Sequence, residues 1–129
     1  MNETDTQATV RLIIADDDPV ARTLIEAIIE KEASFELLGS AEDAPGAVAL
    51  ATEHQPDVAV LDWIMPGGGG PKAAREIVQA SPVTRIIGLT ASDMPEASVD
   101  MMRSGARSFV LKGGPPAELV QTIRQVADL

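Results

Sequence analysis

The chain has 129 residues, of which twenty are acidic and ten are basic, and its formal net charge is −10. This length is enough for one domain with a real core, and the acidic balance argues against direct nucleic-acid binding through phosphate contacts. Because the chain has no cysteine and only one histidine, disulfides, thiolate sites and histidine-rich metal sites are excluded, and any metal ion must bind to oxygen.

The chain begins with a polar segment, residues 1–8, which we predict to be a disordered leader to a domain over residues 9–129. This segment lacks the charged and apolar parts of a secretion signal, and no apolar stretch in the chain reaches the length of a membrane span. We therefore expect a soluble, cytoplasmic protein without a membrane partner.

Five short β-branched runs alternate with five segments of helical periodicity in the rest of the chain. Strands are predicted at 11–15, 36–39, 58–61, 85–89 and 108–111, and helices at 19–31, 45–54, 71–80, 95–104 and 116–127. Each helical segment opens with a proline, which suits the first turn of a helix, and Asp18 is the predicted N-cap of the first. The alternation and the short connections predict a doubly wound α/β domain with three layers and a five-stranded parallel sheet.

Polar side chains follow the predicted strands where a ligand of such a sheet binds, beyond the carboxyl ends. Asp16 and Asp17 follow the first strand, Asp62 the third, Thr90 the fourth and Lys112 the fifth. Converging carboxylates raise one another's pKa, and a divalent cation with oxygen ligands relieves this repulsion. Such a set can hold Mg²⁺, offer a carboxylate nucleophile and neutralise a phosphoryl group in transfer.

Four segments at these strand ends resemble the receiver domain of bacterial two-component response regulators. They are 16–19 (Asp-Asp-Asp-Pro), 62–66 (Asp-Trp-Ile-Met-Pro) followed by Gly70, 89–91 (Leu-Thr-Ala) and 105–112 (Gly-Ala-Arg-Ser-Phe-Val-Leu-Lys). Each motif is weak alone, but four in order make a specific match over about residues 9–129. The stretch 112–119 is closest in pattern to receivers joined to helix-turn-helix DNA-binding domains.

The resemblance implies a flavodoxin-like strand order, 2-1-3-4-5, and a role for each residue of the acidic cluster. Asp62 would be the phosphoacceptor that becomes an aspartyl phosphate. Asp17, Asp62 and the backbone carbonyl of Ile64 would ligate Mg²⁺ directly, and Asp16 would act through a bound water. The side chain of Ile64 and Ser92 match family positions that tune hydrolysis of the aspartyl phosphate.

The remaining residues of the match imply a switch. Lys112 would pair with the phosphoryl oxygens, and Thr90 would donate a hydrogen bond to one of them. Phe109 matches the aromatic residue that rotates inward when Thr90 moves toward the phosphate. Judged without the resemblance, an aromatic residue at position 109 is more often simply part of the core.

The implied function is signalling by self-catalysed phosphotransfer and autodephosphorylation, not an enzyme activity on a separate substrate. The implied partner is a sensor histidine kinase or a phosphotransfer protein, and the output face is formed by the fourth helix, fifth strand and fifth helix. Homodimerisation on activation and a DNA-binding effector domain outside this chain stay open. Two alternatives are a receiver-like interaction module that is independent of phosphorylation, and a haloacid dehalogenase-like phosphatase, which would need an acid where Ile64 stands.

Three further features of the sequence lead to expectations about local structure. Residues 67–70 are four consecutive glycines. We expect Gly70 to form a tight turn and the other three to leave the loop mobile. No lysine followed by serine or threonine completes a phosphate-binding loop there. Lys112 precedes Gly113, where many receivers have a cis-proline, and a cis bond before a residue other than proline is costly, so we expect either a trans bond or local strain. Trp63 is predicted near the mouth of the site.

Overall fold

The structure of the protein is a computed structural model that describes residues 9–91 and 95–128. The predicted leader, 1–8, and the predicted tuning residue Ser92 lie outside these described residues. Strands and helices alternate in the predicted order: β1 (Val10–Ala15), α1 (Pro19–Glu30), β2 (Phe35–Ala41), α2 (Ala44–His54), β3 (Val58–Asp62), α3 (Gly69–Ala80), β4 (Arg85–Thr90), α4 (Pro95–Ser104), β5 (Ala106–Leu111) and α5 (Pro116–Ala127). None of the helices in the described part of the chain is long and apolar enough to cross a membrane.

The five strands form one parallel sheet in the order β2-β1-β3-β4-β5. This confirms the predicted doubly wound α/β fold and its 2-1-3-4-5 order. The order reverses direction beside β1, so the carboxyl ends of β1 and β3 lie next to each other, with Ala15 paired to Leu61. A crevice at this point is where open α/β sheets bind their ligands.

Alternate residues of each strand face different helices, which creates two separate cores. Leu12 and Ile14 of β1 pack with α1 and α5, in a core of large aliphatic side chains. Ile13 and Ala15 face α2, α3 and α4, and this second core is rich in alanine. Small side chains let these three helices approach the sheet closely, and the space that remains is filled by Trp63, Met101 and neighbouring aliphatic residues.

Polar side chains fix the helix ends at both edges of the sheet. As predicted, Asp18 caps α1, and its carboxylate accepts a hydrogen bond from the backbone N–H of Val20 at 3.0 Å. At the opposite edge, the guanidinium of Arg11 donates to the carbonyl of His54 at the end of α2 (2.8 Å). Cations are favourable at this end of a helix, where carbonyls lack intrahelical partners.

The glycine run has a different structure from the one expected. Gly67, Gly68 and Gly69 adopt positive φ angles of 86°, 110° and 74°, and α3 already begins at Gly69, two residues before the prediction. The backbone of Gly70 does not adopt a left-handed conformation. A Cβ atom at this position would lie only 2.8 Å from the Cα atom of Trp63. The first three glycines therefore form the turn, and Gly70 permits close packing. The described residues contain no cis peptide bond, so Lys112–Gly113 is trans, which is the first of the two expected alternatives.

Replacing Gly67 by alanine should destabilise the protein by about 2 to 4 kcal/mol. The alanine would have to adopt a left-handed backbone conformation, and its Cβ atom would lie only 2.5 Å from the ring of Pro45. Gly113→Ala is a matched control: its φ of 80° is similar, but nothing lies within 4 Å of the added Cβ. It should cost only about 1 kcal/mol. Urea unfolding measures both values, and equal losses would show that Pro45 moves aside without cost.

Candidate functional site

Three carboxylates meet at the carboxyl edge of the sheet. Asp62 is the last residue of β3, and Asp16 and Asp17 directly follow β1, its sheet neighbour. One carboxylate oxygen from each of the three lies within 4.8 Å of the others. Asp16 and Asp62 are buried, with exposures of 0% and 4%, whereas Asp17 is exposed. The site is therefore exposed to solvent at Asp17 and buried at Asp16 and Asp62. The cluster could hold a metal ion.

The buried carboxylate of Asp16 is only partly satisfied by hydrogen bonds. Its Oδ1 accepts from the backbone N–H of Asp18 at 2.9 Å. Its Oδ2 is fully buried and receives no well-oriented hydrogen bond from the described residues. The guanidinium of Arg22 donates to the backbone carbonyl of Asp16 at 2.8 Å, which holds the loop in place. A buried carboxylate oxygen with spare acceptor capacity fits a bound cation or a cation-bound water.

The ammonium of Lys112 lies between the two buried acids. Its Nζ is 3.0 Å from Oδ2 of Asp16 and 3.3 Å from Oδ2 of Asp62. Its backbone N–H donates to the carbonyl of Thr90 at 2.8 Å, which fixes the lysine to the end of β4. Burial lowers the pKa of Lys112, but the contacts with Asp16 and the charge of Asp62 outweigh it and raise the pKa. The side chain therefore stays charged.

The pKa of Asp62 is set by effects that oppose each other. Burial and the nearby charge of Asp16 raise the pKa of Asp62 to about 6, against the lowering effect of Lys112 and of the backbone N–H of Ile64, which donates to Oδ1 of Asp62 at 3.3 Å. A carboxyl group with this pKa is mostly ionised at neutral pH. It is then an available oxygen nucleophile next to a cation.

The other predicted site residues are Thr90, Ile64 and Phe109. Thr90 ends β4 and is buried, and its strand neighbour Leu89 pairs with Asp62. The side chain of Ile64 is 83% exposed. Phe109 is 42% exposed and belongs to neither core, so the plain core interpretation of this residue is wrong. Its role in a switch stays a prediction.

Trp63 differs most from expectation. It was predicted at the mouth of the site, but its side chain is only 7% exposed and packs in the alanine-rich core. Its indole Nε1–H donates to Oδ2 of Asp100 in α4 at 2.8 Å. Sequence reasoning missed Asp100, because an acidic residue on the exposed face of a helix carries no local signal of such a contact.

Comparison with known proteins agrees with this geometry. The family model of the response regulator receiver domain matches residues 12–124. The chain belongs to this family. Its receiver sequence is 36% identical over 118 residues to an uncharacterised transcriptional regulatory protein of Bacillus subtilis, YxjL, with 92% of this chain and 54% of that protein covered. It is also 36% identical to the oxygen regulatory protein NreC of Staphylococcus epidermidis, with 91% and 54% covered. The chain thus spans about half the length of these curated relatives.

Solved receiver structures give the same result for the fold. The receiver domain of NarL, a response regulator of Mycobacterium tuberculosis, is 31% identical with a TM-score of 0.88, over 94% of this chain and 98% of that one. A LuxR-family two-component response regulator of Aurantimonas is 33% identical with a TM-score of 0.88, over 94% and 86%. The family, the fold and a place in two-component signalling are thereby confirmed.

The raised pKa of Asp62 gives this receiver a characteristic stability profile in the absence of metal. Between about pH 4 and 6 the folded state binds a proton that the unfolded state releases, so stability falls as the pH rises through this range. Asp62→Asn removes this loss. We expect the variant to be more stable than the native chain by about 1 to 2 kcal/mol near pH 7.5, and by much less near pH 4.

Urea unfolding in the presence of EDTA at the two pH values measures this difference. Asp43→Asn is the control, because it makes the same change at the N-cap of α2, outside the site, and asparagine caps as well as aspartate. A loss of stability in Asp62→Asn near pH 7.5 would contradict the prediction and would mean that the attraction of Lys112 outweighs burial and repulsion.

Proposed function

We propose that this receiver domain accepts a phosphoryl group on Asp62 from a sensor histidine kinase or a phosphotransfer protein, with Mg²⁺ as its cofactor. The observation that carries the proposal is the ammonium of Lys112 between the buried carboxylates of Asp16 and Asp62. This arrangement keeps a nucleophilic oxygen beside a fixed positive charge. Catalysis of phosphoryl transfer depends mainly on the position of the nucleophile and on neutralisation of the charge of the phosphoryl group.

The residues present fit a hard divalent cation. Asp17, Asp62 and the backbone carbonyl of Ile64 would hold Mg²⁺ directly, and Asp16 would hold it through a water. The support for this set is the convergence of the three carboxylates and the burial of Asp16 Oδ2, which receives no well-oriented hydrogen bond from the described residues and lies 3.0 Å from the ammonium of Lys112. When bound, the ion supplies positive charge and orients the phosphoryl oxygens. Oxygen ligands and an open side are what Mg²⁺ prefers.

The remaining steps follow from the residues of the chain. A carboxylate oxygen of Asp62 attacks phosphorus; the new O–P bond forms as the bond from phosphorus to the imidazole nitrogen of the donor histidine breaks, and the electron pair leaves with that nitrogen. Lys112 would neutralise the phosphoryl oxygens, and the hydroxyl of Thr90, at the neighbouring strand end, would donate to one of them. A water oxygen later attacks phosphorus, the O–P bond to Asp62 breaks, and inorganic phosphate leaves while the carboxylate is regenerated. In this proposal the chain catalyses its own phosphorylation and dephosphorylation and acts on no separate substrate.

The output would be read on the surface formed by α4, β5 and α5. Four large apolar side chains of α4 and β5 are exposed on the protein: Val99, Met102, Phe109 and Leu111. Movement of Thr90 toward the phosphoryl group and inward rotation of Phe109 would change this surface and its affinity for a partner or a second copy. One solved relative, 30% identical, is a LuxR-family DNA-binding response regulator of Staphylococcus aureus. Control of transcription through a DNA-binding effector domain is the output we propose.

Incubation with acetyl phosphate and Mg²⁺ should add one phosphoryl group to the native chain, as measured by intact mass. Asp62→Asn should take none, and neither should the native chain without Mg²⁺. Asp18→Asn is the matched control, because it changes an adjacent acid outside the cluster and asparagine still caps α1. If the native chain takes no phosphoryl group from acetyl phosphate or from a cognate kinase, the domain is instead a phosphorylation-independent interaction module.

Replacing Lys112 by methionine should slow phosphorylation by about 10- to 100-fold, because the phosphoryl oxygens lose a fixed positive charge. The side chain keeps a similar shape, so loss of packing is small. Lys72→Met is the control, since Lys72 is an exposed lysine of α3 that pairs only with Glu76 among the described residues. The measurement is the rate of mass increase with acetyl phosphate, and an unchanged rate in Lys112→Met would remove the lysine from the mechanism.

A further inference from the structure

Trp63 occupies a position in the fold that the proposed function does not use. It directly follows Asp62, and its backbone is fixed on both sides: its N–H donates to the carbonyl of Leu89 in β4 at 2.9 Å, and its carbonyl accepts from the N–H of Gly70 in α3 at 3.0 Å. The residue therefore joins the end of β3 to the start of α3 and opens the loop between them. This loop also carries Ile64, whose carbonyl is a proposed metal ligand.

The chain leaves space for the indole ring at two glycines. A Cβ atom at Gly88 of β4 would lie 3.2 Å from Cε3 of Trp63 and 2.7 Å from the sulfur of Met101. A Cβ atom at Gly70 would lie 2.8 Å from both Cα and Cδ2 of Trp63. The ring is thus enclosed between β4, the start of α3 and the fully buried Met101 of α4. Closely packed neighbours of this kind transmit a displacement rather than absorb it.

The polar edge of the same ring reaches α4. Its Nε1–H donates to Oδ2 of Asp100 at 2.8 Å, a hydrogen bond to an ionised acceptor that spans 37 positions in the chain. The hydrogen bond is only partly buried, because Trp63 is 7% exposed and Asp100 is exposed, but loss of the acceptor would still leave the indole N–H without its protein partner at the edge of the core, so Trp63 and Asp100 favour staying together. One side chain therefore joins the loop of the phosphoacceptor to α4, and it does so from the α3 side rather than from β5.

We propose that the hydrogen bond between Trp63 and Asp100 couples the state of the Asp62 site to the position of α4. Asp100 acts as a positioning residue: it does not touch the acidic cluster, and it acts through Trp63. Binding at the site shifts the loop that contains Trp63, and α4 follows because its carboxylate stays with the indole. This proposal rests on the proposed function and adds a second connection beside Thr90 and Phe109. Since coupling is reciprocal, a change in α4 alters ligand affinity at the site by the same factor.

The test is amide hydrogen exchange of α4, residues 95–104, in the full chain without ligand, with Mg²⁺ alone, and with Mg²⁺ and acetyl phosphate. Two variants break the hydrogen bond from opposite sides: Trp63→Phe keeps an aromatic ring but removes the donor, and Asp100→Ala removes the acceptor on an exposed helix position. Asp100→Asn keeps an acceptor oxygen and should restore the native behaviour. Glu96→Ala is the matched control, because it removes an exposed acid from the same helix.

We expect ligand to change exchange in native α4, and we expect this response to fall by about threefold or more in Trp63→Phe and in Asp100→Ala. In the variant with both Trp63→Phe and Asp100→Ala, the response of α4 to ligand should fall no further than in either single variant, because both substitutions break the same hydrogen bond. Asp100→Asn and Glu96→Ala should keep the native response. A general weakening of α4 would instead raise exchange equally with and without ligand.

Two results would overturn the coupling: an equal ligand response in all variants, or no response of α4 to either ligand in the native chain. Asp100 is exposed, so Asp100→Ala decides the question if Trp63→Phe does not fold. If mass spectrometry finds no phosphoryl group on the native chain, the proposed function fails, and the response to Mg²⁺ alone then decides the coupling. If all variants are phosphorylated but respond equally, only the coupling fails.

Discussion

The arrangement of Asp16, Asp62 and Lys112 is the constraint on which the rest of the site depends. Two buried carboxylates repel each other and lose hydration, which on its own would favour their protonated forms. The ammonium of Lys112, within 3.3 Å of both, limits this effect, so that the pKa of Asp62 rises only to about 6. Asp62 is therefore ionised at neutral pH without being tied to a single partner. The three carboxylates outnumber the one ammonium, so the site keeps an excess of negative charge that suits a cation.

The parallel sheet explains why these three residues meet. β1, β3, β4 and β5 point in the same direction, so the residues that follow them share one edge although up to about 100 positions separate them in the chain. The two cores hold this edge rigid in different ways. On the face of α1 and α5, large aliphatic side chains interlock, and on the other face alanines bring α2, α3 and α4 close. Close packing is what makes small movements at the edge felt elsewhere.

The site contacts its surroundings through two routes that leave it in different directions. Lys112 is tied to Thr90 through a backbone hydrogen bond between the ends of β5 and β4, and the exposed Phe109 precedes Lys112 on β5. Trp63 is tied to β4 and α3 through its backbone and to Asp100 through its ring. α4 and β5 together carry four exposed large apolar side chains, Val99, Met102, Phe109 and Leu111. Contacts of the residues next to Asp62 and Lys112 therefore reach β4 through the backbone and α4 through the indole ring.

The order and type of the elements, the N-cap of Asp18 and the residues at the strand ends were all predictable from the sequence. They depend on local periodicity, on capping chemistry and on the rule that parallel strands end at one edge. The roles within the glycine run, the burial of Trp63 and its contact with Asp100 were not predictable. They depend on how α3 and α4 pack against β4, which brings together residues far apart in the chain and leaves no periodic pattern. The sequence by itself determined which chemical groups meet at the edge of the sheet; only the tertiary structure decided which side chain connects that edge to α4, because the connection requires the space left at two glycines and an acceptor on another helix.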